Sequence, residues 1–230
     1  MTLRRVANAL LSALIAPPCA CCARVLDDPL DGAVCDACWH AVAAGAAPRS
    51  CEGPRGVSRL DAIGLYDGRL RDVIHALKYD GRRSIAPRLS LLMATHAQAA
   101  LADADLVVPV PLHPKRRRER GFNQADDLAR GLGLPVCRAL RRTKMTRPQV
   151  ELPAVDRHWN VGNAFSVVEP SATVVGLGFS RAELSGRIIV LVDDVTTTGA
   201  TLQACAGVLL AAGAREVRGL TAARVVTGPH

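Results

Sequence analysis

Two carboxylates stand side by side at Asp193 and Asp194, preceded by the apolar residues 188–192 and followed closely by Thr196, Thr197, Thr198, Gly199 and Thr201. A short uninterrupted apolar run reads as a buried strand. In open α/β sheets, ligands bind beyond the carboxyl ends of the strands, and the two acids fall at such an end. The TTTGAT that follows enters a helix, whose first N–H groups lack intrahelical acceptors and whose dipole attracts an anion. Threonine hydroxyls add donors, and Gly199 lets the backbone approach a ligand closely. This pattern suits a phosphate in the loop, with a hydroxyl-rich group or a metal on the carboxylates beside it. A ribose 5-phosphate meets both demands. A P-loop is absent from the sequence, and a dinucleotide fingerprint would place one acid about 20 residues after its glycines, not two before the loop. The plainer alternative is a helix cap preceded by a surface acidic pair.

A second group of candidates follows the apolar LVVPV of residues 106–110. His113, Lys115, Arg116, Arg117, Arg118 and Arg120 form a basic run, read as a loop and relieved only by Glu119. Such a loop can neutralise a departing anion, track a nucleic-acid backbone, or simply face water. Of His75, His113 and His158, His113 is best placed for chemistry because it adjoins this run. Phe122 offers one ring for stacking on a base, but aromatic residues make up only 3% of the chain, which excludes an extended stacking platform.

Six of the eight cysteines lie between Cys19 and Cys51. Cys19-x2-Cys22 and Cys35-x2-Cys38, twelve residues apart, have the spacing of a four-thiolate zinc ribbon. Four thiolates leave no open coordination position, so such a zinc is structural. Cys21 lies inside the first pair, and either it or Cys22 is available as ligand. Cys51 is a spare thiol or a substitute ligand, and Trp39 is expected to cover the site.

Around these groups the sequence predicts an α/β protein in two parts. Residues 1–55 hold an amphipathic helix and the cysteine module. Residues 56–230 hold strands alternating with helices, hence a parallel sheet with crossovers. The helix repeats Leu3, Val6, Leu10 and Leu14 and ends at Pro17 and Pro18. Those prolines occupy the places where an exported lipoprotein needs small residues before its cysteine, so a docking helix in a cytoplasmic protein is the better reading. Strands are expected over 61–68, 106–110, 188–192 and 216–226, and helices over 70–79, 85–100, 124–134 and 200–213, with Ser84 capping the second helix. No apolar run approaches the roughly 18 residues of a transmembrane segment. The formal charge of +8 fits either an arginine-rich coding bias or an anionic partner.

VLVDDVTTTGAT resembles the phosphoribosyl-diphosphate (PRPP) motif of type I phosphoribosyltransferases. The stretch VVPVPLHPKRRRERGFNQADDLA (107–129) resembles the signature of the competence-protein ComF family. ALKYDGRRSIAPRLS (76–90) and RPQVELPAVDRHWNVGNAFSV (147–167) resemble other stretches of that family. With the cysteine pairs, the likeness covers nearly the whole chain. It implies a type I phosphoribosyltransferase-like parallel sheet flanked by helices, with a small N-terminal four-cysteine zinc module. It further implies Asp193 and Asp194 on the ribose hydroxyls, and the 5-phosphate on Thr196, Thr197, Thr198, Gly199 and Thr201. The basic run would meet diphosphate, Mg²⁺ would accompany PRPP, and Lys78 and Tyr79 are carried over as site-lining. The partners implied are PRPP or another ribose 5-phosphate ligand, single-stranded DNA, and competence-machinery proteins at the inner membrane face, in a DNA-uptake role with an unidentified acceptor. A catalytically inactive, DNA-handling relative is the alternative. Family members often carry a further CxxCG where this chain reads CEGPRG, with Pro54 in place of the second cysteine.

Overall fold

The computed structural model describes residues 3–15, 17–143, 164–168 and 181–226. Five strands form the main sheet: β1 (Arg49–Cys51), β2 (Leu60–Leu65), β3 (Leu106–Pro109), β6 (Ile188–Thr196) and β7 (Glu216–Arg224), in the order β1-β2-β7-β6-β3. β2, β7, β6 and β3 run parallel, while β1 pairs antiparallel with β2 at the edge. The parallel sheet expected of residues 56–230 is thus present, and β1, from the segment before it, adds an antiparallel edge. The short stretch before β2 doubles back, so it pairs in the opposite sense.

The crossovers are α3 (Gly68–Tyr79), α4 (Ala86–His96), α5 (Gln98–Leu101), α6 (Pro114–Arg120), α7 (Gln124–Ala129), α8 (Arg181–Leu184) and α9 (Ala200–Ala211), after α1 (Leu3–Ile15) and α2 (Asp36–Ala44) near the start. One face of the sheet, carrying Val190, Val192 and Leu220, packs on Val73, Ile74 and Leu77 of α3, Leu89 and Met93 of α4, and Leu128 of α7. The other face, carrying Ile189, Leu191 and Val217, packs on Leu202, Cys205 and Leu209 of α9. A separate antiparallel hairpin of β4 (Leu140–Arg142) and β5 (Phe165–Val167) closes over α9 on this second side. Parallel strands buried on both faces explain the unbroken apolar run at the start of β6.

Four expectations are corrected. β6 does not end before the acids. Paired with β7 as far as Thr196, it carries Asp193 and Asp194 within the ladder, so the loop is only Thr197 to Gly199. The helix expected over 85–100 breaks at Ala97 into α4 and α5, and Ser84 sits inside a 3-10 turn, Arg83–Ile85, instead of capping. α7 stops at Ala129, earlier than the sequence suggested, since the glycines after it favour a turn. The basic loop is the helix α6, with Pro114 in its first turn, arginines of good helix propensity, and Gly121 ending it at φ 76°. His158 and residues 147–163 of the family-like stretch lie outside the described residues.

Leu191 is fully buried at the heart of β6, whereas Leu91 on α4 is 62% exposed. Leu191→Ala is expected to lower unfolding free energy by about 2–5 kcal/mol, and Leu91→Ala by less than about 0.5, in parallel denaturant titrations.

Candidate sugar-phosphate cleft and metal centre

Successive side chains on a strand point to opposite faces, so adjacent acids cannot share an environment. Asp194 turns to the α3 side, where the Lys78 ammonium lies 2.8 Å from its Oδ1. Burial alone would push the Lys78 ammonium down; the Asp194 carboxylate, aided by Asp193, outweighs it and holds the lysine above its ordinary value. Lys78, an open choice between surface and site from sequence, is thus bound into the site. Asp193 turns to the α9 and hairpin side. Burial and the neighbouring Asp194 push its carboxyl up to about 7, against the pull of Lys78, the Asp194 N–H (2.9 Å) and Arg142. The pair therefore holds one carboxylate joined to a lysine and one carboxyl poised to titrate near neutrality.

These acids open onto a cleft of about 420 Å³. Its wall includes Thr196, Thr197, Gly199 and Thr201 from the loop and the first turn of α9. Thr198 does not line it. Its Oγ1 instead accepts the Ala200 N–H at 3.4 Å, and Gly199 is the residue at the cap position. Gly199 adopts φ 76°, and a Cβ there would stand 3.0 Å from the Pro54 ring. Only glycine suits both constraints.

α6 distributes its cations in three directions. Arg116 and Arg120, four residues apart on one helical face, are half-buried and line the cleft. Arg117 lines a separate niche with Arg83, Arg130, Arg138, Asp126 and Asp127, most of them already joined in ion pairs. Lys115 and Arg118 are exposed. The Nδ1 of His113 accepts the Lys115 N–H at 3.2 Å, so His113 caps the helix and does not line the cleft. The expectation that the whole run faces one anion is corrected by helical geometry. Tyr79 is 61% exposed at the rim, with the Arg120 guanidinium 5.1 Å from its ring centroid. Phe122 is buried under Arg83 and offers no stacking face.

Sequence reasoning missed Arg142 of β4. It lines the cleft, its guanidinium lies 5.3 Å from the Phe165 ring centroid, and burial and Arg116 across the cleft push it below its ordinary value. Only pairing β4 with β5 brings it there. Pro54 was noted only as a missing cysteine, yet it packs on the loop glycine.

The four sulfurs of Cys19, Cys22, Cys35 and Cys38 lie within 4.8 Å of one another, with Cys19–Cys38 at 4.0 Å and Cys22–Cys35 at 3.7 Å. A Zn–S tetrahedron with bonds of about 2.3 Å has edges of about 3.8 Å, so the cluster could hold zinc. Burial raises the Cys19 thiol, but backbone N–H groups of Cys35, Cys21 and Cys22 outweigh it and bring it down to about 6, favouring the thiolate a metal needs. Cys21 is outside the cluster, and burial pushes its thiol up to about 12. Cys51 is also outside, receiving the Arg224 guanidinium at 2.8 Å. Trp39 is buried in the core beside the cluster, with Arg88 over its ring.

The model of the phosphoribosyl transferase domain family matches residues 118–227. The chain is 36% identical to the DNA utilization protein YhgH of Escherichia coli (strain K12) over 180 residues, 74% of each chain. It is 36% identical to Competence protein F of Haemophilus influenzae over 169 residues, 68% of each. Against Competence protein ComFC of Streptococcus pneumoniae the identity is 27% over 172 residues, 73% of this chain and 69% of that one. A solved structure of the allosteric regulatory enzyme of purine biosynthesis aligns with 59% of this chain and 25% of its own, at 24% identity and TM-score 0.36, too loosely to add to these matches.

Two outcomes are expected. Asp193 binds a proton in the folded state up to about pH 7 but releases it near pH 4 when unfolded, so its ionisation costs stability between those values. Asp193→Asn should leave the melting temperature nearly unchanged at pH 4 and raise it by several degrees, about 1–3 kcal/mol, at pH 8. For the metal, Cys38→Ser should lose bound zinc while Cys21→Ser keeps about one per chain, measured by elemental analysis after purification.

Proposed function

The chain belongs to the ComF family of proteins with a phosphoribosyltransferase domain, and from that premise we propose that its cleft binds PRPP and serves transfer of the phosphoribosyl group to an acceptor. The observation that carries the reading is the convergence on one cleft of Asp193 and Asp194, of Thr196, Thr197, Gly199 and Thr201 around the loop, and of Arg116 and Arg120 from another crossover. The 5-phosphate would sit on the opening turn of α9, held by N–H groups of the loop and the hydroxyls of Thr197 and Thr201. Asp193, once ionised, would accept from the ribose hydroxyls, while Asp194 would stay tied to Lys78 beside them. Arg116, Arg120 and Arg142 would face the diphosphate. In the transfer the bond from the anomeric carbon to diphosphate breaks, and a bond to the acceptor nucleophile forms. The contribution of the chain is orientation of the sugar and neutralisation of the leaving charge, not a strong base.

Mg²⁺ prefers oxygen ligands and is commonly held by one or two carboxylates with substrate phosphates. The oxygen donors at the cleft fit that pattern, with Asp193 the available carboxylate because Asp194 already has Lys78. When bound, the ion would offset diphosphate charge. Structural zinc on the four cysteines completes the cofactor reading.

The names of the relatives, a DNA utilization protein and a competence protein, support a role in DNA uptake; the cytoplasm as its compartment and competence-machinery proteins at the inner membrane face as partners are part of the proposal. The division into 1–55 and 56–230 belongs to the same reading. The outward Lys115 and Arg118 of α6 favour a second reading, in which the fold handles single-stranded DNA without turnover.

Calorimetric titration of Mg-PRPP into zinc-loaded protein tests both. Wild type should bind, Asp193→Asn should lose binding, and the Arg116→Ala/Arg120→Ala variant should weaken it by at least about tenfold, at roughly 1.4 kcal/mol per decade. Lys115→Ala/Arg118→Ala should keep PRPP affinity but weaken single-stranded DNA binding, flattening its log–log salt slope by about 1.4. Absence of PRPP binding to folded wild type leaves DNA handling as the function.

A further inference from the structure

Arg83, Arg117, Arg130 and Arg138 share the niche of about 170 Å³ beside α6 and α7 with only two carboxylates, Asp126 and Asp127, which leaves two positive charges in excess. The carboxylates lie deeper than the arginines that hold them. The side chains of Asp127 and Asp126 are 8% and 15% exposed, while those of Arg83, Arg130 and Arg138 are about half exposed. Arg83 donates to Asp127 through Nε at 2.7 Å and Nη2 at 2.8 Å, and its guanidinium lies 5.2 Å from the Phe122 ring centroid. Arg138 donates to Asp126 through Nε at 2.5 Å and Nη2 at 3.1 Å. Arg130 joins the two acids, donating to one with each Nη. Two-point pairing of this kind fixes the plane of a guanidinium. The Nη1 groups of Arg83 and Arg138 take no part in these pairs, and the Arg117 side chain enters no ion pair among the described residues. A network serving stability alone gains nothing from that fourth cation, which repels the other three.

We propose that this niche is a second anion site and that its ligand is a dianionic phosphate group, free or carried as a monoester. Charge selects the ligand. Two excess cations match a dianion, whereas each phosphodiester of a nucleic acid carries a single charge. The planar N–H pairs of a guanidinium meet two phosphate oxygens at once, and arginines already posed by carboxylates lose little further freedom on binding. The niche and the cleft share no lining residue, so the proposal stands apart from the PRPP reading. They do share α6. Arg117 faces the niche while Arg116 and Arg120 face the cleft, so a phosphate bound here would hold the helix that supplies the cleft with cations.

The test is a titration of full-length, zinc-loaded, nitrogen-15-labelled protein with inorganic phosphate at constant ionic strength, at about pH 8, where phosphate is largely dianionic. Amide resonances of Gly121 and Asn123 report the niche, and those of Thr197 and Thr201 report the cleft. Wild type should show saturable shifts at Gly121 and Asn123. Arg117→Ala, which removes an exposed side chain, should weaken that midpoint by at least about tenfold without changing the melting temperature. Arg116→Ala/Arg120→Ala should leave the niche midpoint in place. Adenosine 5′-monophosphate is titrated in parallel: a tighter midpoint than that of phosphate assigns a nucleotide, and an equal or weaker one assigns free phosphate. The proposal is overturned if Gly121 and Asn123 do not respond, or if chloride moves them as phosphate does. It is equally overturned if dimethyl phosphate, a monoanionic diester, binds with the same midpoint, or if Arg117→Ala binds phosphate as well as wild type.

Discussion

The contact on which the site depends is the 2.8 Å pair between Lys78 and Asp194. Two adjacent carboxylates at the end of a buried strand repel each other, and the alternation of a strand sends them to opposite faces. α3 meets one of them with a cation from its last turn. That leaves Asp193 as the acid without a fixed positive partner of its own, and its carboxyl rises to about 7. An unpaired Lys78 or Asp194 in this setting would be a costly buried charge, so the packing of α3 and the charge state of the cleft are one constraint. The hairpin completes it from the other side by bringing Arg142 towards Asp193.

The cysteine module is joined to this arrangement physically. Cys19, Leu26, Val34, Trp39 and Val42 share one core with α3, α4 and the sheet. The segment leaving the module becomes β1, and Pro54 just after it packs on Gly199. Metal held by the four thiolates would therefore order a region that buttresses the loop proposed to hold phosphate, because binding energy at such a centre is folding energy. Arg224 strengthens the seam. It contacts the Cys51 sulfur and pairs in register with Thr196 at the head of the loop.

Much of this was legible in the residues themselves. The apolar run of β6 followed by acids, threonines and a glycine located the cleft, and two CxxC pairs located the sulfur cluster, because both signals are local and depend on short spacing. The misreadings have a common cause. The sequence around Lys115 to Arg120 is so charged that it reads as a loop, but Pro114 and Gly121 supply a start and a stop, and the helix that forms sends only Arg116 and Arg120 into the cleft. Arg142 gave no signal, since its role depends on pairing with residues some 25 positions away. Thr198 and His113 were of the right types in the right places, yet Thr198 turns its hydroxyl to the Ala200 N–H and His113 caps its own helix. Spacing along the chain identifies a loop or helix; which side chain faces the ligand is decided by helical phase.

The account stands on the divided state of the acid pair, and a carbon-13 NMR titration of labelled aspartate carboxyls tests it most directly. One aspartate should titrate with an apparent pKa near 7, and its resonance should be missing from the Asp193→Asn protein. Saturating Mg-PRPP should move that midpoint down, because a carboxylate accepting from ribose hydroxyls favours the ionised form. If every aspartate titrates below about 5 in the free protein, the two acids are not divided as described, and the electrostatic basis of the cleft fails.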